Sequence, residues 1–162
     1  MSKNQIDIKT KKELALKTRE IISDIESELI KMVPSSNGQI VDYHDSVHFP
    51  LKHTFADGIY VRQMTMNKGS FCIGAIHKDL HVWFLLTGHI TVITEDTKED
   101  YIAPCYVVAK PGTKRVIGAN EDSIFVNIHQ NPDNCKDIEE LENRLTARSW
   151  EEYGEYIKNK KQ

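Results

Sequence analysis

The sequence predicts a mainly β domain, a barrel or sandwich of short strands carried between an N-terminal and a C-terminal helix. Two observations predict it. Between Ile40 and Gln130 the chain consists of short runs of β-branched and aromatic residues divided by turn signals, with few helical periods. On either side of that block the hydrophobic period becomes helical. The expected organisation is an amphipathic helix and linker over residues 1–39, a β-rich unit over 40–131 and a helical segment over 132–162.

Taking the elements in order, Leu14, Ile21, Ile22, Ile25, Leu29 and Val33 recur at helical spacings among Lys, Glu and Asp, which predicts a helix over 11–33. Its apolar stripe must lie on something, either the outside of the β unit or a second copy of the chain. Pro34 to Gly38, with Ser and Asn between them, ends it. Strands are predicted over 58–66, 70–77, 81–87, 89–95, 100–102, 105–109, 114–118 and 123–129. Asp137 followed by Glu140 forms a capping box ahead of Leu141 and Leu145, and the helical pattern continues or restarts through Trp150 and Tyr153. The lysine-rich stretch 158–162 is predicted to fray.

Composition narrows the function classes. The 162 residues suffice for one substantial core. A net charge of −3 gives no general attraction for nucleic acid or anionic lipid, so a small molecule or a protein is the expected partner. No stretch approaches the roughly 18 apolar residues of a membrane span, and the first thirty residues are charged throughout where a signal peptide would be apolar. The expected location is the cytoplasm. Cys72, Cys105 and Cys135 are widely spaced with no CxxC pair, which reads as three incidental thiols.

The stretch from Ala75 to Gly88, Ala-Ile-His-Lys-Asp-Leu-His-Val-Trp-Phe-Leu-Leu-Thr-Gly, carries the most chemistry. In a continuous strand His77, Asp79, His81, Trp83 and Leu85 share one face. Two imidazoles and a carboxylate above an apolar floor offer nitrogen and oxygen ligands to a divalent metal. The same pair also reads as a hydrogen-bonded pocket pair or as two exposed strand residues. His129 is the candidate third ligand, because it shares a face with Phe125 and Asn127; that face is otherwise the solvent side. Iron, manganese, nickel or zinc would each suit such a site. His53 is a candidate for the same cavity, whereas His44 and His48 fall in a loop and His89 follows Gly88 in a turn. Tyr60 and Arg62 share a strand face and could line the pocket, although Tyr in a strand also serves packing alone. Lys110, Lys114 and Arg115 form a basic knot beside a Pro111–Gly112 type II turn, either an anion site or a solvated loop. There is no phosphate loop, dinucleotide fingerprint, zinc-finger spacing or nucleophile elbow.

The segment from Gly69 to Gly88 resembles the first cupin motif, G-x5-H-x-H-x3,4-E-x6-G. His77 falls on its second histidine, His81 on its glutamate and Gly88 on its closing glycine, while Ala75 replaces the first histidine. The second motif, G-x5-P-x-G-x2-H-x3-N, lies over Pro104 to Ala119, where Gly112 matches and Pro104, Lys110, Arg115 and Ala119 replace the other named positions. Arginine does not ordinarily bind a metal, but its fork can clamp a carboxylate or phosphate. The wider run from His53 to His129, with Gly58-Ile-Tyr-Val-Arg62, Ala103-Pro104 and Pro111-Gly-Thr-Lys-Arg115, resembles small cupins common in bacteriophage genomes, most of which carry no assigned reaction. The resemblance implies a cupin-type double-stranded β-helix, or jelly-roll barrel, with a helix at each end. Two functions follow as expectations. One is a metal-dependent enzyme on His77, His81 and His129, with Arg115, Tyr60 and Arg62 holding a small, anionic molecule. The other is a binding or structural module whose helices mediate a homo-oligomer, in the host cytoplasm or in a phage particle.

Overall fold

A computed structural model of the protein describes residues 3–32 and 49–160. In chain order it contains α1 (Lys3–Met32), β1 (Leu51–Ala56), β2 (Ile59–Met66), β3 (Phe71–Ile73), β4 (Ile76–His77), β5 (His81–Thr87), β6 (His89–Ile93), β7 (Lys98–Ile102), β8 (Cys105–Ala109), β9 (Val116–Ala119), β10 (Ser123–Gln130), α2 (Ile138–Leu145), β11 (Thr146–Ala147) and α3 (Trp150–Lys160). Five strands form one antiparallel sheet in the order β1-β2-β10-β5-β8, and four form another in the order β3-β9-β6-β7. A third ladder pairs β4 with β11.

Strand alternation explains the core. Met66, Trp83, Leu85 and Phe125 of the first sheet pack against Cys72, Ile90, Val92, Ile117 and Ala119 of the second. Residues that face one another across the ladders lie in rows on the inner face of the larger sheet. One row is Met64, Phe125, Leu85 and Cys105; the next is Arg62, Asn127, Trp83 and Val107. A third brings Tyr60 opposite His129 and His81 opposite Ala109. The inner face therefore changes from apolar to polar along its strands, and the histidines sit at the polar end.

Several expectations are corrected. The predicted strand over 70–77 is two strands, β3 and β4, interrupted at Gly74 and Ala75. β1 was not predicted, because Leu-Lys-His-Thr-Phe-Ala has little β-branched content, and β11 is too short to show a period. α1 lies on the outside of the β unit through one face only. Ile22 is buried, Arg19 makes a two-pronged ion pair with Glu95, and Glu26 binds Lys114. Leu14, Ile21 and Ile25 of the predicted stripe stay exposed. Val33, the loop 34–38, His44 and His48 lie outside the described residues. α3 runs through Lys160, so residues 158–160 are helical instead of frayed. No described helix is long and apolar enough to cross a membrane. All three cysteines are free thiols, and burial pushes the Cys72 thiol up to about 12, out of the reactive range.

The Asp137 cap is formed, its carboxylate accepting the Glu140 N–H at 3.0 Å, and α2 buries Leu141. Asp137→Ala is expected to cost about 1 kcal/mol, read as a lower urea midpoint at unchanged slope. An unchanged midpoint would show that the cap contributes nothing.

Candidate metal centre

His81 opens β5, and His129 lies near the end of β10. Because Asn127 faces Trp83 across the β10–β5 ladder, two further residues on each strand bring His129 and His81 together on the inner face. His77 arrives separately, on β4. That two-residue strand is held by pairing of His77 with Thr146 and Ile76 with Ala147. The Lys78 N–H donates to the Leu145 carbonyl at 2.9 Å, and the Gly112 N–H donates to the His77 carbonyl at 3.0 Å. Pro111 and Gly112 form the turn beside it, with Gly112 at φ +80°, the value a type II turn requires at its third position.

Residues 78–80 are a bend, not strand, so the continuous face expected from alternation does not exist. Asp79 is turned away from the histidines, its carboxylate 2.7 Å from Lys160 and 3.3 Å from the Tyr156 hydroxyl. The bend folds His77 back over His81, with ring centroids 3.9 Å apart. The His129 ring is 5.1 Å from His77 and 5.0 Å from His81. One ligand nitrogen from each of the three lies within 4.8 Å of the others, and among the described residues no other trio of His, Cys, Asp or Glu is so placed.

Burial dominates the electrostatics. Desolvation holds His77 well below the ordinary histidine range, helped by His81 and His129. Burial and then Arg115 bring His81 down to about 4; burial, then His81 and Arg62, bring His129 down to about 3. All three imidazoles are therefore neutral at pH 7, the form that ligates metals. The buried His77 Nδ1 and His81 Nε2 have no hydrogen-bond partner among the described residues. His81 Nδ1 sits 3.4 Å from the Asp79 carbonyl, a contact that favours the proton on Nδ1, and the Asn127 side chain also bears on the protonation of His81.

These shifts carry a sign. A histidine whose proton affinity falls on folding binds fewer protons folded than unfolded, so stability is full above the unfolded value near 6.5 and is lost as pH falls below it. The metal-free protein is expected to lose up to about 1.4 kcal/mol per pH unit for each such histidine from about pH 6.5 towards the depressed values of about 4 and 3 for His81 and His129. Melting curves between pH 7 and pH 4 check this against a His77→Gln, His81→Gln, His129→Gln variant. Parallel acid losses in both proteins would contradict it.

The other expected site residues divide. Tyr60 is buried behind His129, ring centroids 6.0 Å apart, and its hydroxyl lies 2.7 Å from His53 Nδ1. Burial raises Tyr60 to about 12, so it stays protonated. Its place is a wall of the site, with His53 one layer farther out. Arg62 reaches the same face, but its guanidinium is paired with Glu142 at 3.0 Å. The basic knot is three environments: Lys110 is exposed, Lys114 is buried on Glu26 and the Arg148 carbonyl, and Arg115 is buried at 8% exposure. His89 is half-buried, 4.0 Å from Asp100, and does not join the trio. An open cleft of about 500 Å³ reaches His129 between the 78–80 bend and the end of α2, lined by Leu80, Pro132, Arg144 and Leu145 among others. No sequence signal marks the brace on His77, because a two-residue ladder has no periodicity.

No family model matches the chain, and no curated protein matches it. Solved structures do. KdgF from Halomonas sp. is 18% identical, the match covering 55% of this chain and 89% of that one with a TM-score of 0.45. A Cupin 2 conserved barrel domain protein from Salinispora arenicola is 10% identical over 65% of this chain and 95% of its own, with a TM-score of 0.46. The plu4264 protein of Photorhabdus luminescens is 10% identical over 59% and 88%, with a TM-score of 0.48. These neighbours include cupin-fold proteins, and the likeness is one of fold alone.

Proposed function

We propose that this chain is a cupin-type jelly roll that binds one divalent transition metal through His77, His81 and His129. The observation that carries the reading is the meeting of three neutral imidazoles, two of which bury a ring nitrogen without a partner. Each such orphan costs about 1–3 kcal/mol, a cost that a shared cation would remove. The donor set fits. Three imidazoles suit zinc, iron, nickel or manganese, and three protein ligands leave a position open.

A metal held there would act as a Lewis acid on a bound water or carbonyl. The chain's own residues supply the rest. The Asp79 carbonyl orients His81, the Tyr60 ring backs His129, and β11 with the Pro111–Gly112 turn fixes His77. The cleft at His129 gives a small molecule access.

The test is the metal content of the purified protein beside that of a His77→Ala, His81→Ala variant. About one metal per native chain and almost none in the variant are expected. Sub-stoichiometric metal in both, after growth in metal-supplemented medium, would remove the proposal.

A further inference from the structure

Arg115 differs from the other basic groups that enter the interior or line the cleft. Arg62 is paired with Glu142 at 3.0 Å, Arg144 with Asp133 at 2.6 Å, Arg19 with Glu95 and Lys114 with Glu26. Arg115 is as deeply placed, at 8% exposure, yet among the described residues no carboxylate forms an ion pair with its guanidinium, and its nitrogens are not among the fully enclosed polar atoms. Burial accordingly lowers its proton affinity, to about 10, and the one group acting to raise it is the Tyr101 phenol. That phenol is itself pushed up to about 12 and is no counter-ion. The backbone sets Arg115 against the segment that carries His77: the Gly74 N–H donates to the Arg115 carbonyl at 2.8 Å, and the Gly112 N–H donates to the His77 carbonyl at 3.0 Å. The positive charge accordingly lowers the proton affinity of His77 and His81.

A buried cation without a partner is costly, and the planar fork of arginine matches a carboxylate edge. We propose that Arg115 is an anion seat beside the histidine trio, and that the ligand of this centre is a small organic acid whose carboxylate pairs with that guanidinium. The deeper half of the proposal, that the rest of the acid lies over a metal, rests on the metal reading above; the seat itself does not. Charge counting selects a carboxylate over a phosphate. With Arg62 and Lys114 already neutralised, the guanidinium itself carries one uncompensated positive charge, which a single carboxylate balances and a dianionic phosphate exceeds.

Calorimetric titrations of the purified protein with glycolate, lactate, glycolamide and inorganic phosphate test this, in native protein and in Arg115→Gln. Metal content is measured in the same samples. Glycolate or lactate is expected to bind native protein at least about tenfold more tightly than neutral glycolamide, and to lose at least about tenfold in Arg115→Gln with metal content unchanged. Equal affinity in the two proteins, no binding of either acid, or tighter binding of phosphate overturns the seat. Arg115-dependent binding in a protein without metal keeps the seat and sinks the metal reading; Arg115-independent binding in a metal-loaded protein does the reverse. Melting without anion supplies a second readout. Removal of an uncompensated buried charge in Arg115→Met should raise the melting temperature, and a fall would mark Arg115 as structural and overturn the proposal.

Discussion

Replacing His129 with alanine is expected to weaken zinc binding by at least about a hundredfold, since loss of even an outer-shell partner typically costs 10–100-fold. The same holds for His77 and His81, because among the described residues each offers one of the three nitrogens that converge within 4.8 Å. The fold should survive. In His77→Ala the backbone of β4 keeps its ladder to β11 and its bond from Gly112. In His129→Ala the strand keeps Tyr60 opposite it, and the truncation removes a ring whose nitrogen is hard to satisfy in an apolar setting. Competition against a chromophoric chelator measures the affinity, and circular dichroism checks the strands. Asp79→Asn is the control. Its carboxylate is committed to Lys160 and Tyr156, so its zinc affinity should equal that of the native protein. Native affinity in His129→Ala would strike His129 from the ligand set, and a large loss in Asp79→Asn would restore the sequence-based view of a mixed nitrogen and oxygen site.

Gly88→Ala should be the most damaging single methyl group in the described fold. Gly88 follows β5 at φ +86°, where an L side chain costs about 1–2 kcal/mol. A Cβ there would lie 2.2 Å from Ser123 Oγ, 2.4 Å from the Asp122 carbonyl and 2.9 Å from Ser123 Cα. Two of these obstacles are backbone, and Ser123 is buried at 1% exposure, so relief requires moving the start of β10. Overpacking of this kind adds about 1–3 kcal/mol, for a total of about 2–5 kcal/mol. At Gly112 the backbone has the same sign of φ, but the obstacle is the far side of the Tyr153 ring, which can swing away. Gly112→Ala should therefore cost less. Urea denaturation of both variants decides it: a Gly88→Ala loss below about 1 kcal/mol would mean that the turn relaxes freely.

Local pattern made the strands legible. β5 and β8 fall on their predicted residues because each is a short run of apolar, aromatic and β-branched residues, His81 to Thr87 and Cys105 to Ala109, bounded by Gly88, Pro104 and Pro111. The proximity of His77 and His81 was legible too, although for another reason than the one at work: a bend at 78–80 brings them together, not a shared strand face. His129 was legible by its face, and its 7% exposure excludes the solvent-side alternative. What stayed hidden is pairing over distance. The Glu26–Lys114 contact spans 88 residues and Arg19–Glu95 spans 76, and no periodicity connects such positions. Nor does Arg115 reveal its burial in sequence, where it stands between Lys114 and Val116 as part of a basic knot.

The β4–β11 ladder also imposes an order in time. Chains emerge from the ribosome N-terminus first, at about 5–20 residues per second, so the strands bearing His81 and His129 are complete while Thr146 and Ala147 are still to come. Until those two residues dock, His77 lacks its ladder partner. On the proposed reading a pair of imidazoles would hold a cation far more weakly than a trio. The trio is thus completed by residues that lie outside it, and tight binding of a cation would wait on the docking of β11.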